Sequence, residues 1–322
     1  MRIKIKIEKQ DLGISPKAVR SLLSKLSQIQ DVRTDDTLEI ELNFTKKDAS
    51  ELSTAIIWKS LSEVTDAPFK KNIRFKGGVT EKYLNERHFF DSLTGKKSKL
   101  FSTAVPINYE TFSPIRPTKS SPQNEEVNKI FEESTRGILD TSKDFEREIR
   151  IHMVECVQNT FDHSESQRNK PAGIICSLSE RGMLDFCVID KGKGIKKSFL
   201  SNLALKAKYL PMSDAEAIVS STQENVSCNP TDSPNPSYSF SNGGIGLYYL
   251  NEFIQMHTNS HLIIVSDTGY YSTSYLKKQR KTANLTSKWS GTIIYFRIKL
   301  DQNMSKAYEA LNVAYIENFD NN

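Results

Sequence analysis

No apolar run in this chain is long enough to cross a bilayer. Stretches such as Ala55 to Trp58 and Leu262 to Val265 fall far short of the roughly 18 to 20 residues a spanning helix needs. Cysteine is scarce, with four in 322 residues. Cys156, Cys176, Cys187 and Cys228 stand at no metal-ligand spacing, and three lie among aliphatic residues, where a reduced thiol packs as a small hydrophobe. A zinc site and a disulfide framework are therefore set aside. Strong charge is missing too: a net +5 with scattered lysines allows a nucleic-acid partner without arguing for one. The N-terminal MRIKIKIEK alternates Ile3, Ile5 and Ile7 with charged residues, which gives a strand with one wet face rather than a signal peptide. The expected location is the cytoplasm, with no membrane partner. Familiar phosphate loops are absent as well. FCVIDKGKGI, residues 186–195, lacks Gly-Lys-Ser/Thr at the P-loop offset, and no third glycine follows Gly194 as a dinucleotide fingerprint requires.

At 37% hydrophobic, the chain can build one large core or two modest ones, and its length favours two domains. The first hundred residues alternate strand and helix. A strand at Arg2 to Ile7 precedes a helix with Ser15 as N-cap, Pro16 at its first position, and Val19, Leu22, Leu23 and Leu26 on one stripe. A strand over Thr37 to Phe44, a helix in KDASELSTAIIWKSLSEV, a strand in NIRFKGG and an amphipathic EKYLNERHFFDSL follow. This alternation predicts a small α/β sandwich over 1–110. The Pro- and Ser-rich run from about Pro106 to Glu126 suits a connection, placed at 111–124.

Beyond it, FEREIRIHMVECVQNTFDHS reads as a long helix with Ile149, Met153, Val157 and Phe161 among its apolar positions. AGIICSL and MLDFCVI, parted by Glu180, Arg181 and Gly182, form a hairpin signature that ends on Asp190. Cys228 to Gly244 has the composition of a mobile loop. A helix in GIGLYYLNEFIQMH and strands in HLIIVSD and GTIIYFRIKL close the domain. At the end, Met304, Tyr308, Leu311 and Tyr315 recur at near-helical spacing, which suits a helix at 303–322 folded back on the core, or a docking element. There is no internal repeat.

Four segments carry chemistry. Glu155 and Asn159 stand i, i+4 on the long helix, with His163 a further turn along. A carboxylate and an amide so placed can activate a water and ligate magnesium, which prefers a few hard oxygens; a solvated polar stripe is the plain alternative. Asp190, Gly192 and Gly194 follow a buried strand, where an ordinary Asp-Gly turn is the alternative. NGGIGL, Asn242 to Leu247, sits where a loop meets a helix. Glycines there let backbone N–H groups approach phosphate oxygens, or act as a lid hinge. In SGTIIYF, Gly291 and Thr292 open the last strand, where the threonine hydroxyl could reach a base edge beside Asp190, or simply start a strand.

In order and spacing these segments resemble the N box and three glycine boxes of the GHKL, or histidine kinase-like, ATPases with the Bergerat fold, across roughly Glu125 to Leu300. The resemblance implies an α+β fold, a two-layer sandwich of a mixed sheet covered by helices, over 125–302 with an ATP lid at about 196–243. It implies ATP and Mg2+ as cofactors. Asp190 would accept from the adenine amino group, which discriminates against guanine. Gly192, Gly194 and Ile195 would line the nucleotide; Gly244, Ile245, Gly246 and Leu247 would border the triphosphate, with Gly243 adding freedom to the lid. Asn159 would ligate the metal, Glu155 would orient or deprotonate the attacking water, and Thr292 would support Asp190. His163 and Ser164 match the helix ending of the anti-sigma-like branch. ELNFTKKDASELSTAIIWKSL, EKYLNERHFFDSL and SDAEAIVSSTQENVS are similar to segments of STAS-like proteins fused to such an ATPase.

The leading expectation is an ATP-driven conformational switch with slow hydrolysis, acting on a protein partner and with dimerisation open. A serine/threonine kinase of the anti-sigma type and a non-hydrolysing ATP-sensing module are the alternatives. A histidine kinase is disfavoured: Phe89 follows His88 where an acidic residue usually follows the phosphoacceptor, and His152 lies inside the catalytic helix. DNA relaxation and mismatch repair are disfavoured because their transducer domain needs more chain than follows Leu300.

Overall fold

A computed structural model describes residues 2–31, 37–43, 50–65, 73–76, 110–115, 131–132, 142–163, 172–178, 182–224, 246–277, 280–300 and 305–311, with single positions at 226 and 303. Strands β1 (Arg2–Glu8), β2 (Thr37–Asn43) and β3 (Ile73–Lys76) form a parallel sheet in the order β1-β2-β3, and helices α1 (Pro16–Leu26) and α2 (Glu51–Thr65) alternate with them. Helix α1 starts as its sequence requires: Ser15 accepts from Ala18 N at 3.2 Å and Pro16 occupies the first turn. Register pairs Ile3 with Leu38, Ile5 with Ile40 and Ile7 with Leu42, so one face of the sheet is apolar and the Lys4–Glu41 ion pair marks the other.

Among the described residues the second sheet is five-stranded, in the order β4-β5-β6-β8-β7, and every pairing is antiparallel rather than the mixed arrangement expected, because β5–β6 and β7–β8 follow one another as hairpins. It comprises β4 (Glu110–Ile115), β5 (Ala172–Leu178), β6 (Met183–Ile189), β7 (His261–Ser274) and β8 (Lys281–Lys299). The chain is thus α+β. Along the three described core strands successive residues divide between two apolar clusters. Leu184, Phe186, Val188, Leu262, Ile264, Ile294 and Phe296 join Ile149, Met153 and Val157 of α3 (Lys143–His163) and Leu250, Phe253 and Ile254 of α7 (Gly246–Met256). Cys187, Ile189, Ile263, Val265, Ile293 and Tyr295 instead join the apolar residues of α1, α2, β1 and β2. Four layers result: α3 and α7, the five-stranded sheet, α1 and α2, then the parallel sheet. Lying between two sheets, α2 is buried at every position from Leu52 to Leu61.

Two expectations change. Residues 110–115, read as part of the connection, form β4. Pro114 suggested a linker, yet a proline without an N–H is tolerated on an edge strand, which is where β4 lies. And three short helices, α4 (Ile195–Ser201), α5 (Leu203–Tyr209) and α6 (Asp214–Ser221), occupy the first half of the expected lid. Their own small core stacks Phe199 on Tyr209 at 4.0 Å. Helix α6 lies against β7, where a Cβ on Gly269 would meet Ala215 N at 2.8 Å, and Asp214 accepts from Thr268 N and Oγ1. EKYLNERHFFDSL, residues 116–124 and residues 227–245 lie outside the described residues.

Residues 306–311 are helical, and Tyr308 is buried against α3 and α7. Its hydroxyl lies 3.0 Å from His152 Nε2, within an aromatic group that includes Phe145, Phe253 and His257. His257 donates from Nδ1 to Phe253 O and accepts at Nε2 from Ser305 N, which fixes its neutral form. Burial, reinforced by His257, holds the His152 pKa down to about 3. Above about pH 6.5 both folded and unfolded chains carry this histidine neutral; below it only the unfolded chain takes the proton, so stability falls as pH falls. The unfolding free energy of the wild type relative to His152→Phe is expected to drop by about 2 kcal/mol between pH 6.5 and pH 5, read from denaturant titrations at each pH. A pH-independent difference would contradict the neutral, buried state of His152.

Candidate functional site

The end of β6 is where the constellation assembles. Asp190 exchanges two backbone hydrogen bonds with the sheet: its N–H donates to Thr292 O at 2.9 Å, and its carbonyl accepts from Trp289 Nε1 at 2.9 Å. Its side chain turns back on the same neighbours. Oδ1 accepts from Gly192 N at 2.6 Å and from Thr292 N at 3.2 Å, while Oδ2 takes part in neither bond. The residue is 7% exposed. Burial pushes its carboxyl up to about 6, and the two amide bonds together with the Lys59 and Lys191 charges pull against that rise. The Lys191 ammonium lies 3.6 Å from the Trp289 ring centroid.

Backbone shape around Asp190 is set by a bulge between β7 and β8. Ser266 pairs with Thr292 but Asp267 pairs with Trp289, so two extra residues, Ser290 and Gly291, stand on β8. Gly291 has φ 133, and a Cβ there would lie 2.7 Å from Lys191 Cα and overlap Asp190 O. Gly194 has φ 80 and caps α4. A Cβ on it would meet Ser266 Oγ at 2.8 Å and Asp267 Oδ2 at 2.9 Å. The glycine is therefore required by the protein wall itself. Ile195 N donates to Ser266 Oγ at 2.8 Å, and Ser266 Oγ donates to Gly291 O at 3.1 Å. Asp267, almost fully buried, pairs with Lys288 at 3.1 Å and Lys197 at 3.4 Å.

Helix α3 carries Glu155 and Asn159, both half-buried, next to the buried Cys156 and Val157. Burial, and less strongly the Glu155 charge, drive the Cys156 thiol well above its usual range. Gly246, the first residue of α7, lies so close to Glu155 that a Cβ would fall 2.9 Å from Glu155 Oε2 and 3.4 Å from its Cβ. The carboxylate therefore abuts a helix N-terminus, whose first N–H groups have no partner within the helix. Leu247 and Ile195 are half-buried against the α3–α7 core.

Two groups emerge from the expected residues: Asp190, Gly192, Gly194, Ile195 and Thr292 at the strand ends, and Glu155 with Gly246 between the helices. Thr292 reaches Asp190 through its backbone amide. Gly243, Gly244, Ile245, Ser164 and His88 lie outside the described residues, as does the side chain of His163. Among the described residues no group of three or more His, Cys, Asp or Glu side chains is gathered to hold a metal, and no helix is long and apolar enough to cross a membrane. Sequence reading missed Lys59, Trp289, Ser266 and Asp267. For Lys59 a signal existed, a single lysine inside the apolar AIIWKSL; for the bulge residues there was none. No family model matches the chain, and no curated protein matches it at a significant level.

Keeping Asp190 ionised costs the unliganded fold. Above about pH 6 both states are ionised and the folded one bears the penalty; as pH falls from 6 towards 3.8 the folded state takes the proton first and the penalty fades. Asp190→Asn keeps an Oδ1 acceptor for both amides, and is expected to stabilise the unliganded protein by up to about 3 kcal/mol at pH 7.5, with the gain vanishing near pH 4 in denaturant titrations. Gly291→Ala, forced into a strained backbone and a steric overlap, is expected to lose at least about 2 kcal/mol in the same assay.

Proposed function

We propose that this chain is an ATP-binding switch of the histidine kinase-like ATPase superfamily, with the sandwich of that fold over 110–302, β4 included, and a STAS-like layer before it, hydrolysing Mg-ATP slowly to control a partner protein. The observation that carries this reading is Asp190: a buried carboxylate at a strand end, held through one oxygen by two backbone amides, with the other oxygen outside those bonds. Such a group is oriented before a ligand arrives, and a buried acceptor selects a base with an amino donor over one with a carbonyl. The adenine amino group fits; the guanine carbonyl, facing it, does not.

The phosphate end is supported by the helix start at Gly246 and the Glu155 carboxylate beside it. A nucleotide running from Asp190 to that helix would bring its last phosphate near Glu155, where a carboxylate can orient or deprotonate a water. Asn159, one turn further along α3, offers a hard amide oxygen suited to magnesium, which keeps most of its ligands from water and phosphate. When bound, that ion supplies charge stabilisation to the phosphates. The continuous core between the N-terminal layer and the five-stranded sheet favours a switch within one molecule over a kinase whose substrate is a separate STAS protein. It would let nucleotide-dependent changes at the strand ends pass into α1 and α2.

Calorimetric titration of the full chain with ATP and magnesium is expected to show saturable binding, with GTP at least about tenfold weaker and Asp190→Asn without binding. Glu155→Ala is expected to bind ATP as the wild type does and to release phosphate at least about 100-fold more slowly. Equal binding of ATP and GTP would remove the role given to Asp190. Unchanged turnover in Glu155→Ala would leave Glu155 structural and favour a module that senses ATP without hydrolysing it.

A further inference from the structure

Among the described residues three large apolar side chains are exposed, and two of them, Leu203 at 84% and Leu210 at 59%, belong to α5 and its C-cap. Helix α5 is held to the protein by a narrow seam: Leu205 and Tyr209, the latter stacked on Phe199, face the small core of α4 to α6. At about 100° per residue, the face opposite that seam is made by Leu203, Ala207 and Leu210, at i, i+4 and i+7, with Leu210 still in helical geometry. Lys206 flanks this stripe on one side and Lys208 on the other, and Ala204, Lys206, Ala207 and Lys208 are all exposed. The wider setting is basic. Residues 191–208 hold six lysines and no acidic residue, more than the net +5 of the whole chain. Lys191, Lys193 and Lys197 of that segment have partners on the protein, at Trp289, Ser201 and Asp267, whereas Lys206 and Lys208 stand beside the solvent-facing leucines.

We propose that this ridge is a contact for an anionic phospholipid surface: Leu203, Ala207 and Leu210 enter the boundary between headgroups and acyl chains, while Lys206 and Lys208 reach phosphatidylserine headgroups. Charge and shape select this occupant. An aliphatic outward stripe flanked by lysines is the pattern of helices that lie in a membrane interface, and lysine stems run along apolar surface while their ammonium groups stay among polar ones. A duplex nucleic acid offers phosphates to the lysines but nothing to two leucines. A protein would have to present a groove to receive a ridge, whereas a fluid bilayer takes a convex contact without one. The contact lies on the membrane and is weak and reversible, because it rests on two leucines and local charge. It reverses the expectation of no membrane partner, which followed from the lack of a spanning run and does not bear on a surface contact. It needs no nucleotide, so it stands or falls apart from the ATP reading.

The test is co-sedimentation of the full chain with vesicles of phosphatidylcholine alone and of phosphatidylcholine with about one-third phosphatidylserine, at about 0.1 M and about 1 M salt. Saturable binding is expected to the phosphatidylserine vesicles alone, falling at least about tenfold at the higher salt. The double variant Lys206→Gln with Lys208→Gln is expected to bind at least about tenfold more weakly. Leu203→Ser with Leu210→Ser is expected to lose at least about tenfold as well, through the lost apolar contact. All four side chains are exposed, so both double variants are expected to keep the wild-type denaturant midpoint. Leu203→Trp supplies a reading that depends on no loss of binding. Both native tryptophans are buried, and emission from position 203 is expected to move to the blue with phosphatidylserine vesicles and not with phosphatidylcholine alone. No binding to phosphatidylserine vesicles at the lower salt, equal binding to the two vesicle types, or binding that the leucine pair leaves unchanged would overturn the proposal. So would binding of a DNA duplex through Lys206 and Lys208 without vesicle binding, which would assign the ridge to nucleic acid.

Discussion

A sheet covered on both faces must be apolar on both, and its strands lose the alternation that marks a wet face. The five-stranded sheet here obeys that constraint, with Ile293 and Ile294, Tyr295 and Phe296, and Cys187 and Val188 turned to opposite clusters. Everything else in the fold answers to it. Helices α3 and α7 cover one side, and α1 and α2 cover the other while backing onto the parallel sheet. The amphipathic α1 can be half-exposed, but α2 cannot, which is why its polar residues Ser53, Thr54, Lys59 and Ser60 are all buried.

The hydrogen-bond cluster around Asp190 stands where this double cover stops, at the strand ends beyond Ile189 and before Ile293. There the backbone needs partners that are no longer supplied by regular pairing. The Asp190 carboxylate satisfies two amides, the Trp289 indole one carbonyl, and Ser266 bridges Ile195 and Gly291. The bulge that admits these bonds depends on glycine at 291 and 194, where any side chain would strike the backbone or its neighbours. A buried, ionised Asp190 is a cost the unliganded fold bears, as functional sites commonly do.

Most elements were legible in the sequence, because propensity, caps and period agreed. Ser15 and Pro16 announced α1, the alternating isoleucines announced β1, and Glu180 to Gly182 announced the β5–β6 hairpin. What stayed hidden depended on contacts distant in sequence. Pro114 disguised β4, since edge position is a property of the sheet and not of the strand. The helices α4 to α6 are too short to show a period, and α6 is positioned by an approach to Gly269 that only the fold reveals. The strands β7 and β8 extend as a ribbon past the bulge, where polar composition at Thr282 to Ser287 reads as loop. One sign of the docked N-terminal layer was present in the unbroken apolar runs FCVI and IIYF, which only a second covering layer explains. Of the candidate site, Glu155, Asp190 and the glycines at 192, 194, 246 and 291 were picked out in the sequence, whereas the pairing of Ser266, Asp267 and Trp289 around the bulge left no sign there.

The helix at 306–311 is fastened to α3 through Tyr308 and His152, three residues before Glu155, and to the end of α7 through Ser305 and His257. Helix α7 begins at Gly246, beside Glu155. Helices are stiff along their axes, so the tail holds α3 within a turn of Glu155 and α7 at the end opposite Gly246. Tension or docking applied to the tail is therefore delivered as a change in the spacing of α3 and α7. Mechanically, the helix at 306–311 is a strut between α3 and the end of α7, so a change in the spacing of those two helices would be felt where Glu155 and Gly246 meet.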